Sequence, residues 1–295
     1  MKSILFFLLI VSCSAFSLNT QAKKKKKIDS TVNNAVVSQV KPINYRYWDK
    51  QIENHRGYNG FPENTLIGLE EAIMQGFQIV ECDVAFSKDG VPILSHDPKI
   101  DRCSMAKGLT TDYTIQELSQ IDFGYKTNPK YEGTSITTLR EALMLCRRNN
   151  AIIELDCANK KRFPNDKYEA VYNLVKKCGM LESTIFCDDA ENLKVLLDID
   201  PNVIVSISHC ISLKDVEKGL DIAKRARFAD FSFRHTLITQ PLIDYIHGQG
   251  FYVKIWTVDE LNDMKRFVAM GVDHILSNKL NPKFDYRIIE IKPKD

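Results

Sequence analysis

Ile79-Val80-Glu81-Cys82-Asp83-Val84-Ala85-Phe86 is apolar throughout except for two acids spaced two residues apart. Alternate side chains of a strand face opposite sides, so Glu81 and Asp83 share one face. A run apolar on both faces reads as a strand covered on both sides, as in parallel sheets flanked by helices. The pattern recurs at Ile152-Ile153-Glu154-Leu155-Asp156, again with two acids on one face. Working outward, short apolar runs at 184–187, 203–207, 228–231, 251–258 and 273–276 alternate with helical patterns. Three of those patterns, 64–75, 166–178 and 259–270, stop at Gly76, Gly179 and Gly271, where glycine accepts the left-handed position after a last turn. A short first strand at 52–55 brings the strands to eight, which predicts an α/β fold closed as a (β/α)8 TIM barrel, with an open doubly wound sheet as the runner-up. One stretch, 98–138, is too long for a simple connection and reads as a small insertion after the second strand. Loops after barrel strands carry catalytic groups, so the insertion is expected to serve the site.

Of 295 residues 44% are apolar and 26% charged, the balance of a soluble folded body. The net charge of +2 includes five lysines in one run, Lys23 to Lys27, so the rest is slightly acidic and nucleic acid is excluded as a partner. Residues 1–22 read as a leader, whose apolar stretch 4–11 is too short to span a bilayer but long enough for a signal-peptide core. Ile10-Val11-Ser12-Cys13 is similar to a bacterial lipobox, which predicts acylation at Cys13 and an exported protein, periplasmic or anchored to a membrane through its lipidated N-terminus. Cleavage after Ala15 is the rival; cleavage after Ala22 would leave five lysines at the new terminus, against the charge rule for export. Residues 23–44 form a tether and 45–295 the folded body. Apart from Cys13, seven scattered cysteines without CxxC spacing argue against a disulfide framework and against cysteine-bound zinc.

Glu81, Asp83, Glu154 and Asp156 pose an electrostatic problem, because buried like charges repel and lose hydration. A hard divalent cation, Ca2+ or Mg2+, would resolve it; salt bridges to buried Arg or Lys are the alternative. His55 in Asn54-His55-Arg56-Gly57 and His96 in Ser95-His96-Asp97-Pro98 each follow a strand-like stretch, whereas His209, His235, His247 and His274 lack such a context and read as structural. A cation, a guanidinium and two titratable imidazoles are what phosphodiester cleavage needs: charge neutralisation, a base and an acid.

His55-Arg56-Gly57, Pro62-Glu63-Asn64-Thr65, Glu81-Cys82-Asp83-Val84, Lys88-Asp89-Gly90 and His96-Asp97, followed by Thr137-Leu139-Glu141-Ala142, Glu154 and Trp256-Thr257-Val258, resemble the glycerophosphodiester phosphodiesterase family over about residues 52–280. The resemblance implies the barrel with its insertion, one divalent cation held by Glu81, Asp83 and Glu154, and His55 and His96 as the acid/base pair. It also implies Arg56 on the phosphate, with Glu63 orienting the site or capping the helix near Asn64, and Trp256 against the substrate or filling the core. The expected substrate is a glycerophosphodiester or related lipid-headgroup phosphodiester, attacked by its own neighbouring hydroxyl. Two positions depart from the family's pattern. Asp156 stands where that pattern has a phosphate-neutralising lysine, and Ser277-Asn278 stands for Thr-Asp. Asp156 is therefore expected to join the cation site or stand just behind its ligands, or else to pair with a basic group for which Lys254 is the candidate, and to shift preference toward a substrate carrying its own positive charge. The rival function is a barrel that kept the metal, lost turnover and binds phospholipid or its headgroup.

Overall fold

Strands form at all eight expected places in the computed structural model, which describes residues 51–282. They are β1 (Gln51–His55), β2 (Ile79–Phe86), β4 (Ile152–Asp156), β5 (Thr184–Asp188), β6 (Ile204–Ile207), β7 (Phe228–Arg234), β8 (Tyr252–Trp256) and β9 (His274–Ser277). All eight run parallel, and β1 pairs with both β9 and β2, so the sheet closes into a barrel. The leader, Cys13 and the tether lie outside the described residues.

Helices α1 (Leu66–Met74), α3 (Leu139–Asn149), α4 (Tyr168–Lys177), α5 (Ala190–Ile199), α6 (Leu213–Arg225), α7 (Gln240–Gly248) and α8 (Leu261–Met270) link successive barrel strands. Their apolar faces cover the outside of the sheet, where Val80, Cys82, Ile153, Leu155 and Val205 are buried with Leu69, Leu143, Val171 and Leu193. Burial of this kind is worth about 1.5–3 kcal/mol per large apolar side chain. Start signals are local: Thr65 caps α1, and Thr138 and Glu141 form a reciprocal capping box at α3. Each of the three forecast helices begins two residues later than its pattern suggested; Thr65, Lys167 and Glu260 are the capping positions, and Asn64 and Asp259 bond elsewhere in the structure.

Inside the barrel the floor is apolar, built from Ile79, Ile152, Ile185 and Ile204 with Phe228 and Tyr252. β3 (Pro92–Leu94) runs antiparallel to β2 ahead of the insertion, which forms the short helix α2 (Ile115–Leu118). Ile100, Leu118, Phe123 and Ile136 of the insertion pack with Ala85 of β2 and Ile93 of β3 into a small separate core. The seven described cysteines are free thiols, all buried except Cys103, which is half-buried.

Candidate active site

Strand register puts the acids at two heights: Glu81 pairs with Glu154, and Asp83 with Asp156 one step nearer the C-terminal mouth. At the lower height lies a buried belt. Lys254, fully enclosed on β8, is ion-paired with Glu154 and lies 3.7 Å from both Glu53 and Asp230, while His274 Nδ1 lies 2.7 Å from Glu53 Oε1. Three carboxyls face two cationic groups, so one must keep its proton. Burial pushes the Glu154 carboxyl up to about 8. For Glu53 burial pulls the same way, but Lys254 and His274 outweigh it and bring the carboxyl down to about 2.

At the mouth, Glu81, Asp83 and Asp156 each offer an oxygen, all within 4.8 Å of one another. The grouping differs from the ligand set read from the sequence: Glu154 is paired one step down with Lys254, and Asp156, expected in the cation site or just behind it, lies beside Glu81 and Asp83. The physical reason is reach. The lysine stem crosses the barrel interior, and a fully buried ammonium must find a carboxylate. Sequence reasoning also set Lys254 beside Asp156 as a partner; Asp156 instead meets Arg162, whose Nη2 lies 3.1 Å from both Asp156 Oδ2 and Asp83 Oδ1. Arg162 Nη1 donates to the carbonyls of Val84 and Asp156 at 2.7 and 2.8 Å. The buried acids are thus partly answered by salt bridges, as the alternative reading allowed.

The remaining imbalance bears on a cation. Arg56 Nε approaches Asp83 Oδ2 at 3.1 Å, and the Asn64 amide donates to the same oxygen at 2.8 Å. Burial works to raise the Asp83 carboxyl, but Arg162, Arg56, His96 and Asn64 hold it below its ordinary value. Glu81 receives the Arg56 backbone N–H at 3.1 Å and has neither Lys nor Arg in an ion pair among the described residues. Burial and then its neighbour Asp83 drive it well above the carboxylate range. Three carboxylates, two guanidiniums and one uncompensated acid fit a hard divalent cation beside Glu81, Asp83 and Asp156.

His55 ends β1, where Arg56 takes a left-handed φ of 60° and Gly57 follows at 104°. A Cβ on Gly57 would sit 3.0 Å from the backbone of Gly68, so only glycine lets this loop settle on α1. His55 Nδ1 lies 2.7 Å from Asn278 Oδ1, and Nε2 lies 3.9 Å from Glu81. Asn278 is itself oriented: its backbone and side-chain N–H groups donate to Asp259 at 2.8 and 2.9 Å. The amide oxygen therefore faces His55, Nδ1 carries the proton, and Nε2 keeps its lone pair. Burial, with Arg56 adding to it, lowers the His55 pKa to about 4, so the ring is neutral at pH 7.

His96 lies beyond β3, half-buried, with Nδ1 2.8 Å from Asp97 Oδ1. Arg102, from the insertion, donates to Asp97 at 2.5 Å and to both oxygens of Glu63 at 2.5 and 2.7 Å. Glu63 in turn lies 3.8 Å from Arg56. Glu63 thus ties the insertion to the β1 loop, and the helix cap is Thr65. Trp256 is half-buried at the end of β8, with Arg234 5.7 Å from its ring centre, so it is not core filler. Sequence reasoning missed Arg162, Arg102, Asn64 and Asp259. The basic run Lys160-Lys161-Arg162 directly after an acidic strand was the available signal for the first, and the motif Pro62-Glu63-Asn64-Thr65 for Asn64; Arg102 and Asp259 bond across long stretches of chain and left none.

The chain matches the model of the glycerophosphoryl diester phosphodiesterase family over residues 55–281. A glycerophosphodiester phosphodiesterase of Caldanaerobacter subterraneus subsp. tengcongensis is 25% identical over 226 residues, spanning 76% of this chain and 92% of its own length. One from Bacillus altitudinis is 24% identical over 229 residues with the same coverage of 76% and 92%. Among solved structures, an Oleispira antarctica phosphodiesterase in complex with the product sn-glycerol-3-phosphate aligns with a TM-score of 0.69 at 22% identity, covering 80% of this chain and 95% of that one. A glycerophosphoryl diester phosphodiesterase from Parabacteroides distasonis gives 0.67 at 21%, covering 84% and 89%. The structures bear on the fold, which they share. With the motifs carried in order on one closed barrel and the family match spanning most of its length, this chain belongs to the glycerophosphoryl diester phosphodiesterase family and is a phosphoric diester hydrolase.

Proposed function

We propose that the protein hydrolyses glycerophosphodiesters or related phospholipid-headgroup phosphodiesters in a cation-dependent reaction, with His55 as base and His96 as acid. The observation that carries this reading is the fixed tautomer of His55, whose free Nε2 faces the acidic group. His55 Nε2 takes the proton of the attacking hydroxyl as its oxygen bonds to phosphorus. His96, oriented through Nδ1 by Asp97, gives a proton to the alcohol oxygen as the P–O bond breaks. Water then opens the resulting cyclic phosphate with the two roles reversed. Arg56 sets a guanidinium against the non-bridging oxygens. Ca2+ or Mg2+ at Glu81, Asp83 and Asp156 would supply further neutralisation of phosphoryl charge.

The test is hydrolysis of glycerophosphoglycerol and glycerophosphocholine by the purified chain, with chelator and metal add-back. We expect activity that chelation removes and Ca2+ or Mg2+ restores, and a loss of about 100-fold or more in turnover in His55→Ala and in His96→Ala. Full activity after chelation would remove the cation from the reaction. Rates unchanged in either variant would remove that histidine. Binding of diesters without turnover would favour the headgroup-binding reading.

A further inference from the structure

On the side of His96 and Asp156 the site opens into a cleft of about 450 Å³, lined also by Lys160, Lys161, Arg162 and His209. At about 30 Å³ per water this is room for an alcohol moiety as well as a phosphate. Its charge is one-sided. Asp156 is answered by Arg162 at 3.1 Å, and the acid nearest Lys160 is Asp188, fully buried 2.8 Å from that ammonium and bonded also to Tyr168. Lys161 is exposed and has no ion pair among the described residues.

The loop presenting these lysines is anchored at both ends. Arg162 is bonded to the β2 and β4 carbonyls, the backbone N–H groups of Arg162 and Phe163 donate to the Asn159 carbonyl at 2.9 and 2.7 Å, and the Lys161 N–H donates to the Asn159 side chain at 3.0 Å. Phe163 is fully buried between Phe86 and Tyr168. Across the cleft, His209 stands after β6 at a φ of 59°, with Nδ1 engaged by Ser208 Oγ at 2.9 Å, which leaves its Nε2 for a ligand. A left-handed histidine and a loop whose backbone is anchored beneath Lys161 make a pre-ordered surface, whereas solvating lysines need no such support.

We infer that this rim is a subsite for a second anionic group, a carboxylate or phosphate, carried by the alcohol of the substrate. The inference rests on the phosphodiesterase reading above and names the substrate class within it. It also reverses the expectation, drawn from Asp156, of a substrate with its own positive charge: Arg162 answers Asp156, Lys160 is paired with the buried Asp188, and the surplus on the rim is Lys161.

Two substrate pairs isolate the group. Glycerophosphoserine differs from glycerophosphoethanolamine by one carboxylate, and glycerophosphoinositol 4-phosphate differs from glycerophosphoinositol by one phosphate. The anionic member of at least one pair should show a kcat/KM higher by about fivefold or more, expressed in KM, as expected for one partly exposed ion pair. Whichever pair responds says whether the rim reads carboxylate or phosphate. Lys161→Glu should abolish or invert that preference, and added salt should shrink it. Affinities of the same diesters for the His55→Ala chain, measured by calorimetry, judge the rim independently of turnover. If no diester is hydrolysed the phosphodiesterase reading falls, and the binding preference still decides the subsite. Ratios near one in both pairs, or a preference that survives Lys161→Glu, overturn the inference.

Discussion

Because Asp259 accepts hydrogen bonds from the backbone and side-chain N–H groups of Asn278, it is the amide oxygen that Asn278 turns to His55. Proton position on the imidazole is thereby set two residues away from the chemistry. We expect nitrogen NMR at neutral pH to find His55 as the Nδ1–H tautomer, and Asn278→Ala to lower kcat by about 10-fold or more while releasing that preference. An Nε2–H ring in the native chain would remove His55 as the base. The sequence marked Asn278 only as a departure from a pattern. Its role depends on Asp259, which sits 19 positions away and closes the contact only when β8 and β9 lie side by side.

Element boundaries show the same division between what local sequence carries and what it does not. The strands and the order of the barrel were legible because apolar runs and glycine stops are local. The helix starts were read two residues early: Asn64 binds Asp83, Asp166 lies in a 3-10 turn (Asn165–Lys167), and Asp259 binds Asn278. Asn64 and Asp259 belong to the site and Asp166 to a separate turn, and periodicity alone counts all three into the helix. In the site, the shared face of each acid pair could be read from alternation. The split between Glu154 and Asp156 could not, since it follows from Lys254 reaching across the barrel and Arg162 folding back over β4. The insertion contributes Arg102, which holds Glu63 and Asp97 together. Removing it should leave stability within about 1 kcal/mol, because the pair is partly exposed, yet loosen His96. Arg102→Ala should therefore cut kcat by about 10-fold with an unchanged melting temperature. Native turnover in that variant would mean His96 needs no such support.

At the scale of the whole barrel, the charged belt makes stability depend on Lys254. Lys254→Met strands buried carboxylates and should cost about 3–5 kcal/mol in denaturant unfolding. The belt also shapes the response to pH. Glu53 titrates at about 2 when folded and near 4.5 when unfolded, so its contribution is present above pH 4.5 and fades as pH falls toward 2. Glu154 has the opposite sign: folded, it keeps its proton until about 8, so its contribution declines as pH rises from 4.5 to 8. Glu154→Gln should flatten that decline; an unaltered slope would show that Glu154 is ionised throughout. For the chain as a cellular object, we propose export and anchoring through acylated Cys13, with Cys13→Ala expected to move the protein from the membrane to the soluble fraction. Native protein found soluble would favour cleavage after Ala15.

The free thiols give the barrel a built-in reporter of its own opening. Cys103 alone among the seven described is half-exposed, and burial followed by the Glu63 charge pushes its thiol up to about 11, so alkylating reagents should label one of these seven thiols in the native chain, and slowly. Cys82, Cys146, Cys157, Cys178, Cys187 and Cys210 are spread along the chain from β2 to the loop after β6 and become reactive only when the segment around each one opens. Mass spectrometry of alkylated protein would then count adducts against time. Among the seven described thiols, a jump from one adduct to seven would mark concerted unfolding, whereas intermediate masses would show which part of the ring parts first.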